Sequence, residues 1–294
     1  MANSKTVIIT GGGGFVGSQY FQHSNHQILA PGRNECDLNR PDSLKNYLNN
    51  HHCQTLINFA AFTDMDDAEQ QRNDKNGSAW QINVEGVHYL TDICRDKIYL
   101  IHISTDAVFP GSKLDPGPYG EIHPTATESD TVSWYGWTKN QGEKLLLKNG
   151  KRCSIVRIAW PVGDKPHPKD YLQKLISRAK TNQLPPLFTN QYLTLSFIPE
   201  VAAVLDVLIE RQLSGIFHAS SKNSCTPYQV AQSLFKRLHL SQPISPIKFE
   251  DFVAKAQFPK RYHQFSGLKV ASTTKKLNLH FSTWQQIITK LINS

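Results

Sequence analysis

Two hydrophobic rhythms alternate along the first 160 residues. Short apolar runs such as Val7-Ile8-Ile9 and Tyr99-Leu100-Ile101 read as buried strands, and between them apolar residues return at the helical spacing of three or four. The pattern predicts strands over residues 6–10, 27–30, 55–58, 98–103 and 154–158. It predicts helices over residues 15–23, 42–50, 79–95 and 134–148. Strands alternating with crossover helices give an α/β domain, a doubly wound parallel sheet. From Pro161 the rhythm loosens: "PVGDKPHPKD" and "NQLPPLF" are proline-rich and flank a helical pattern over 170–179. A helix over 199–211 and a strand over 215–218 return to the sheet, and helices over 227–238 and 282–291 complete a smaller α/β lobe. The expected division is a nucleotide-type domain over 1–160, with a return segment at about 190–220, and a C-terminal lobe over 161–294. A ligand belongs in the crevice at the carboxyl ends of the strands.

A glycine cluster sharpens that expectation. "VIITGGGGFVG" sets it between a hydrophobic strand and a helical pattern; Gly11, Gly14 and Gly17 fit G-x-x-G-x-x-G, while Gly12, Gly14 and Gly17 fit G-x-G-x-x-G. Such a turn needs glycine conformations, brings backbone close to a pyrophosphate and offers it the free amides of a helix start. In this strand–turn–helix context it points to a Rossmann-type dinucleotide site. An NAD-specific site puts an acidic residue at the end of the second strand, about twenty residues on. Pro31-Gly32-Arg33 stands there instead. An arginine pairs with a 2′-phosphate, which favours NADP(H), and nearby Glu35 keeps NAD(H) in play.

Composition removes other classes. The net charge of +8 comes from dispersed lysines and arginines without interleaved aromatics, so a nucleic-acid partner is not expected. No apolar run approaches the roughly 20 residues of a membrane span, and the start "MANSKT" carries no secretory signal, which predicts a cytoplasmic protein with no membrane partner. Five scattered cysteines, none in C-x-x-C, read as reduced thiols, and none of the twelve histidines has metal-ligand spacing.

"WYGWTK" holds Tyr135 and Lys139 one helical turn apart on one face. The spacing alone suits an aromatic helix start, or a Lys139–Glu143 pair, as well as it suits acid catalysis. The ends of the third and fourth strands decide between them. "INFAAFTDMDDAE" follows one and "IHISTDAVF" the other, so Ser104, Thr105 and Asp106 cluster where the Tyr135 helix begins.

Together these pieces resemble the extended short-chain dehydrogenase/reductase family, and within it the dTDP-4-dehydrorhamnose reductases and their sugar-nucleotide-binding relatives. The resemblance rests on TGGGGFVG, Asp37-Leu38, NFAAFTDMDDAE, INVEG, HISTDAVF, YGWTK followed by GE, and RIAW. It continues loosely in "GIFHASS", "PYQVAQSLF" and "FPKRYHQFSGL". It implies that Thr105, Tyr135 and Lys139 are catalytic, with Tyr135 as proton donor, Lys139 lowering the phenol's pKa and binding the nicotinamide ribose, and Thr105 holding the carbonyl. It implies cofactor contacts at Gly11, Gly14, Phe15, Val16 and Gly17, at Arg33, Asp37 and Leu38, at Ala61, Phe62 and Thr63, and at Tyr135 and Lys139. Thr105, Asp106 and Trp160 would meet the substrate, and Lys260-Arg261 reads as a solvated pair. Three departures bear on the sugar: Ala107 replaces a family tyrosine, Ala159 and Pro161 flank Trp160, and the 109–135 loop is long. The expected activity is NADPH-dependent reduction of a nucleotide-linked 4-keto-6-deoxy sugar, by a homodimer if the family analogy holds. A binding-only regulatory subunit and an NAD-dependent epimerase are the competing expectations.

Overall fold

The structure, a computed structural model, describes residues 5–95, 97–150 and 152–293. Strand β1 (Thr6–Thr10) leads through the glycine turn to α1 (Phe15–His23), and β2 (Gln27–Leu29), α2 (Pro41–Asn50), β3 (Thr55–Asn58) and α3 (Met65–Gln70) follow. A single turn, α4 (Ser78–Trp80), runs through a π-helical turn at Gln81–Glu85 into α5 (Gly86–Cys94). Next come β4 (Tyr99–Thr105), α6 (Trp134–Asn149) and β5 (Cys153–Ile158). The C-terminal part holds β6 (Pro161–Val162), α7 (Tyr171–Lys180), β7 (Leu187–Phe188), β8 (Ser196–Phe197), α8 (Ile198–Arg211) and β9 (Gly215–Ala219). It ends with α9 (Pro227–Arg237), β10 (Pro246–Ile247), α10 (Phe249–Val253), α11 (Ala271–Leu277) and α12 (Trp284–Asn293).

Six strands form one parallel sheet in the order β2-β1-β3-β4-β5-β9. Strand order reverses direction between β1 and β3, so the crevice at that switch point lies over Gly11 and Ala60. Both sheet faces are covered. One carries Val7, Ile9, Ile57 and Ile101 against α1 and α8; the other carries Ile8, Leu56, Leu100 and Ile155 against α2, α5 and α6. Burial on both faces explains why these strands read as apolar runs rather than alternations. A second core gathers Leu172, Leu175, Val230, Leu234, Ile287 and Ile288 from α7, α9 and α12. No helix among the described residues is long and apolar enough to cross a membrane.

Three of the differences from the pattern-based expectation bear on the site. β4 continues past Ile103, because Ser104 and Thr105 stay in register with Arg157 and Ile158 of β5. The helix expected over 79–95 is interrupted by the π turn, where the Asn83 side chain turns inward to bond Phe62 and Thr138. Helix α3 was not expected at all; Asp64 caps it by accepting from the Asp66 and Asp67 amides.

A buried ion pair ties α6 to the sheet. Arg157 donates from Nε and Nη2 to the two carboxylate oxygens of Glu143, at 2.9 and 2.6 Å, with both side chains at most 2% exposed. The guanidinium also lies 4.9 Å above the Phe109 ring. Removing one partner of such a pair strands a buried charge, so Glu143→Ala should lower unfolding free energy by about 3–5 kcal/mol in urea melts. Replacing both residues by methionine should recover most of that loss.

Candidate active site

At the switch point the backbone is bare. Gly11 takes φ +69°, and a Cβ there would come within 2.5 Å of the Ala60 nitrogen. The Gly14 amide closes the turn on the Gly11 carbonyl at 2.9 Å, and Gly17 passes so near that carbonyl that a Cβ would sit 2.6 Å from it. Gly14 caps α1 without a side chain accepting from its amides, and a side chain at Gly13 would meet open space. An uncapped helix start beside an open glycine turn fits a pyrophosphate. Of the adjoining residues, Phe15 is buried and stacks on His167 at 4.6 Å, and Val16 packs against the core beneath the sheet. Arg33 is exposed beyond β2, with Nε 3.5 Å from the Asp37 carboxylate, which Arg40 also approaches at 3.6 Å. Leu38 is 5% exposed and packs against Gly86. After β3, Ala61 and Phe62 are half-buried and Thr63 is exposed.

Helix α6 carries the candidate pair, Tyr135 and Lys139. Ser133 caps it by accepting from the Gly136 amide, and Glu69 accepts from the Trp134 amide at 2.5 Å. Arg72 holds Glu69 with two bonds at 2.9 Å and reaches the carbonyls of Ser129 and Val132. Gly136 then lies against the turn that follows β4, where a Cβ would be 2.0 Å from the Ala107 carbonyl oxygen. This approach brings the Tyr135 phenol near the Thr105 hydroxyl, which donates to Asp106 at 3.3 Å. Burial, with Asp106 nearby, raises the Tyr135 phenol to about 12, although the Thr105 contact pulls it down. Lys139 lies below, 1% exposed, donating to the Ile103 carbonyl at 2.7 Å and meeting His102 Nε2 at 3.0 Å. Burial lowers its ammonium to about 7, with Glu143 opposing.

One alternative weighed from the sequence does not form, and one expectation changes. Lys139 does not pair with Glu143, which is committed to Arg157. Nor does a lysine cation lower the phenol in the cofactor-free chain, because burial disfavours the charged form of both groups. Trp134 is a packing residue: it is 2% exposed and stacks on Trp80 at 6.0 Å.

The remaining candidates are spread around this pair. Asp106 is buried and accepts from the Gly267 amide at 3.2 Å and from Thr105 Oγ1 at 3.3 Å; burial raises its carboxyl to about 6. Trp160 holds a left-handed backbone at φ +43° and packs edge-on against Tyr171 at 4.8 Å, bridging the second core and the Phe109–Tyr119 cluster. Lys260 is exposed, but Arg261 pairs with Asp66 at 3.0 Å and is not a free cation.

Comparison with known proteins agrees with this arrangement. A profile described as the RmlD substrate binding domain matches residues 5–294. The chain belongs to that family. Among curated relatives, a dTDP-4-dehydrorhamnose reductase of Aggregatibacter actinomycetemcomitans is 25% identical over 298 residues, covering 96% of both chains. A probable dTDP-4,6-dihydroxy-2-methyloxan-3-one 4-ketoreductase of Streptomyces antibioticus is 29% identical over 237 residues, covering 79% of this chain and 76% of its own. Among solved structures, a Bacillus anthracis dTDP-4-dehydrorhamnose reductase in complex with NADP superposes with TM-score 0.86 at 23% identity, covering 99% of each chain.

Within this RmlD-type frame, several residues that hold the site were not singled out from the sequence. Asn83 clamps Phe62 through its backbone in both directions, at 2.9 and 3.0 Å, and also donates to Thr138 of α6. Its signal was present in "INVEG". Glu69 closes the stretch "INFAAFTDMDDAE" and Arg72 follows it, in a segment to which the pattern assigns no element. Gly136 was visible inside "YGWTK", where only its neighbours drew notice. Gly136→Ala forces a carbonyl and a methyl group apart, an overpacking cost of about 1–3 kcal/mol. Thermal unfolding of that variant should move down by roughly 2–12 °C. Ala at Gly13, where nothing lies within 4 Å, should leave the melting temperature unchanged.

Proposed function

We propose that the chain is an NADPH-dependent reductase of a nucleotide-linked 4-keto-6-deoxy sugar, with dTDP-4-dehydrorhamnose as the substrate that fits best. The observation that carries this reading is the close approach of Gly136 to Ala107, which brings Tyr135 to the Thr105 end of β4, together with the open glycine turn at the same sheet edge. The names and NADP complex of its relatives support it. The turn at Gly11, Gly14 and Gly17 and the first amides of α1 would hold the pyrophosphate. Arg33 and Arg40, both exposed beside Asp37, would receive the 2′-phosphate, and Asp37 would face the ribose if the cofactor lacked it. When bound, the nicotinamide supplies the hydride.

The chain's own residues do the rest. A ketone oxygen placed beside Tyr135 and Thr105 would accept from the Tyr135 hydroxyl, and from Thr105 Oγ1 once that hydroxyl turns its hydrogen from Asp106. A phenol raised to about 12 is fully protonated at neutral pH, so Tyr135 holds the proton that the developing alkoxide needs. Thr105 stays neutral and keeps that oxygen in place. Phe62, fixed by Asn83, packs beside Tyr135 and helps exclude water from the pair. The C-terminal lobe, reached through Trp160, would take the nucleotide-sugar.

The decisive assay follows NADPH absorbance with dTDP-4-dehydro-6-deoxy-L-mannose. Native protein should turn it over, and Tyr135→Phe should lower kcat by about 10²–10⁴ with NADPH affinity little changed. Cofactor binding without turnover of any keto-sugar would instead favour a regulatory subunit, and turnover without net NADPH consumption an epimerase. Arg33→Ala should weaken NADPH by about tenfold or more and NADH far less, since it removes a charged hydrogen bond to phosphate.

A further inference from the structure

Behind the reactive pair, four buried polar groups form one chain across the sheet. The parallel register sets Thr10 beside Asn58 and Asn58 beside His102, so their side chains form a row on one face. Thr10 Oγ1 donates to Asn58 Oδ1 at 2.6 Å, Asn58 Nδ2 meets His102 Nδ1 at 3.0 Å, and His102 Nε2 meets Lys139 Nζ at 3.0 Å. All four residues are at most 2% exposed.

The protons along this row can be assigned from one fixed donor. The Ala60 amide donates to Asn58 Oδ1 at 3.1 Å, and a backbone amide cannot do otherwise. The oxygen of Asn58 therefore faces Ala60 and Thr10, and its NH2 faces His102. His102 Nδ1 must accept, so in the neutral ring Nε2 carries the hydrogen. That hydrogen points at Lys139 Nζ. An ammonium there would set donor against donor; a neutral amine accepts through its lone pair while still donating to Ile103. An imidazolium is excluded for the same reason, since Nδ1–H would face the Asn58 NH2.

We propose that His102 is the positioning residue of Lys139: locked as the Nε2–H tautomer by Asn58, it donates to Lys139 and keeps that amine neutral until an anionic dinucleotide binds. The electrostatics agree. Burial and then Lys139 push His102 well below its ordinary value, and burial pushes Lys139 down. The other charged or titratable groups around Lys139 do not neutralise this effect. Glu143, one turn on, is bound to Arg157 of β5; Asp106, past Thr105, is held by Gly267; Tyr135 is protonated. Lys139 is then a proton acceptor that charges on cofactor binding, which couples NADPH affinity to pH. The uptake part of the inference rests on the proposed NADPH site; the tautomer does not.

Two measurements test it. In ligand-free protein labelled with ¹⁵N-histidine, the two-bond proton–nitrogen spectrum reports the tautomer, and the His102 signal is the one missing in His102→Gln. It should show Nε2–H from pH 8 to pH 9, where an amine lowered to about 7 is mostly neutral; Nδ1–H or an imidazolium there would overturn the proposal. Calorimetry of NADPH binding near pH 8, in buffers of different ionisation enthalpy, should show uptake of about one proton. Asn58→Asp reverses the polarity of the row: the carboxylate accepts from Nδ1, Nε2 becomes an acceptor, and Lys139 is charged beforehand. Uptake should then fall to near zero, and equal uptake in both proteins would overturn the proposal. If NADPH does not bind at all, the functional reading fails while the tautomer still decides this one.

Discussion

The arrangement depends on one close approach, that of Gly136 to the carbonyl of Ala107. A helix start can lie this near the end of a strand only where no Cβ intervenes, and here a Cβ would be 2.0 Å from the oxygen. From that contact the positions of the reactive groups follow by helical geometry. The residue before it, Tyr135, comes level with Thr105, and Lys139, one turn later, falls beneath β4. A second glycine, Gly142, does the same against the Asn83 carbonyl, where a Cβ would be 2.4 Å away. Helix α6 is therefore pressed backbone to backbone on both sides, and the Glu143–Arg157 pair bolts it to β5.

The same tight packing governs the chemistry. Drawing α6 down onto the sheet takes Lys139 and His102 out of water and half-buries Tyr135, and burial disfavours the charged form of each. The phenol moves up to about 12 while the amine moves down to about 7, so the phenol is protonated at neutral pH and the amine becomes mostly neutral above pH 7. An anionic dinucleotide would change this balance, because it supplies the negative charge that a buried ammonium lacks. Packing thus provides a protonated acid directly, and leaves the charge on its lysine to be set by what binds.

Much of this was legible in the residues. Where strands are buried on both faces, as at Val7-Ile8-Ile9 and Leu56-Ile57, the apolar run and the strand coincide, and 6–10 and 55–58 were expected as observed. The glycine turn was legible because its spacing is dictated by backbone contacts. Hidden were features that depend on partners distant in sequence. Asn83 looks like a helix residue until Phe62 and Thr138 are known to flank it, and its inward turn produces the π segment. His102 looks like a lone polar residue in a strand until register lines it up with Asn58 and Thr10. Strand β4 was cut short at Ile103 because "STD" reads as a turn, whereas pairing with β5 keeps Thr105 extended. The two-residue strands β6, β7, β8 and β10 carry too little pattern to be seen at all.

The account turns on Tyr135 and Thr105 sharing one oxygen of the substrate. A crystal structure with NADP⁺ and dTDP-L-rhamnose measures this directly. The account predicts the sugar's C4 oxygen within about 2.6–3.2 Å of both the Tyr135 hydroxyl and Thr105 Oγ1, with the nicotinamide on the glycine-turn side. A sugar bound with its C4 oxygen away from both hydroxyls would contradict it.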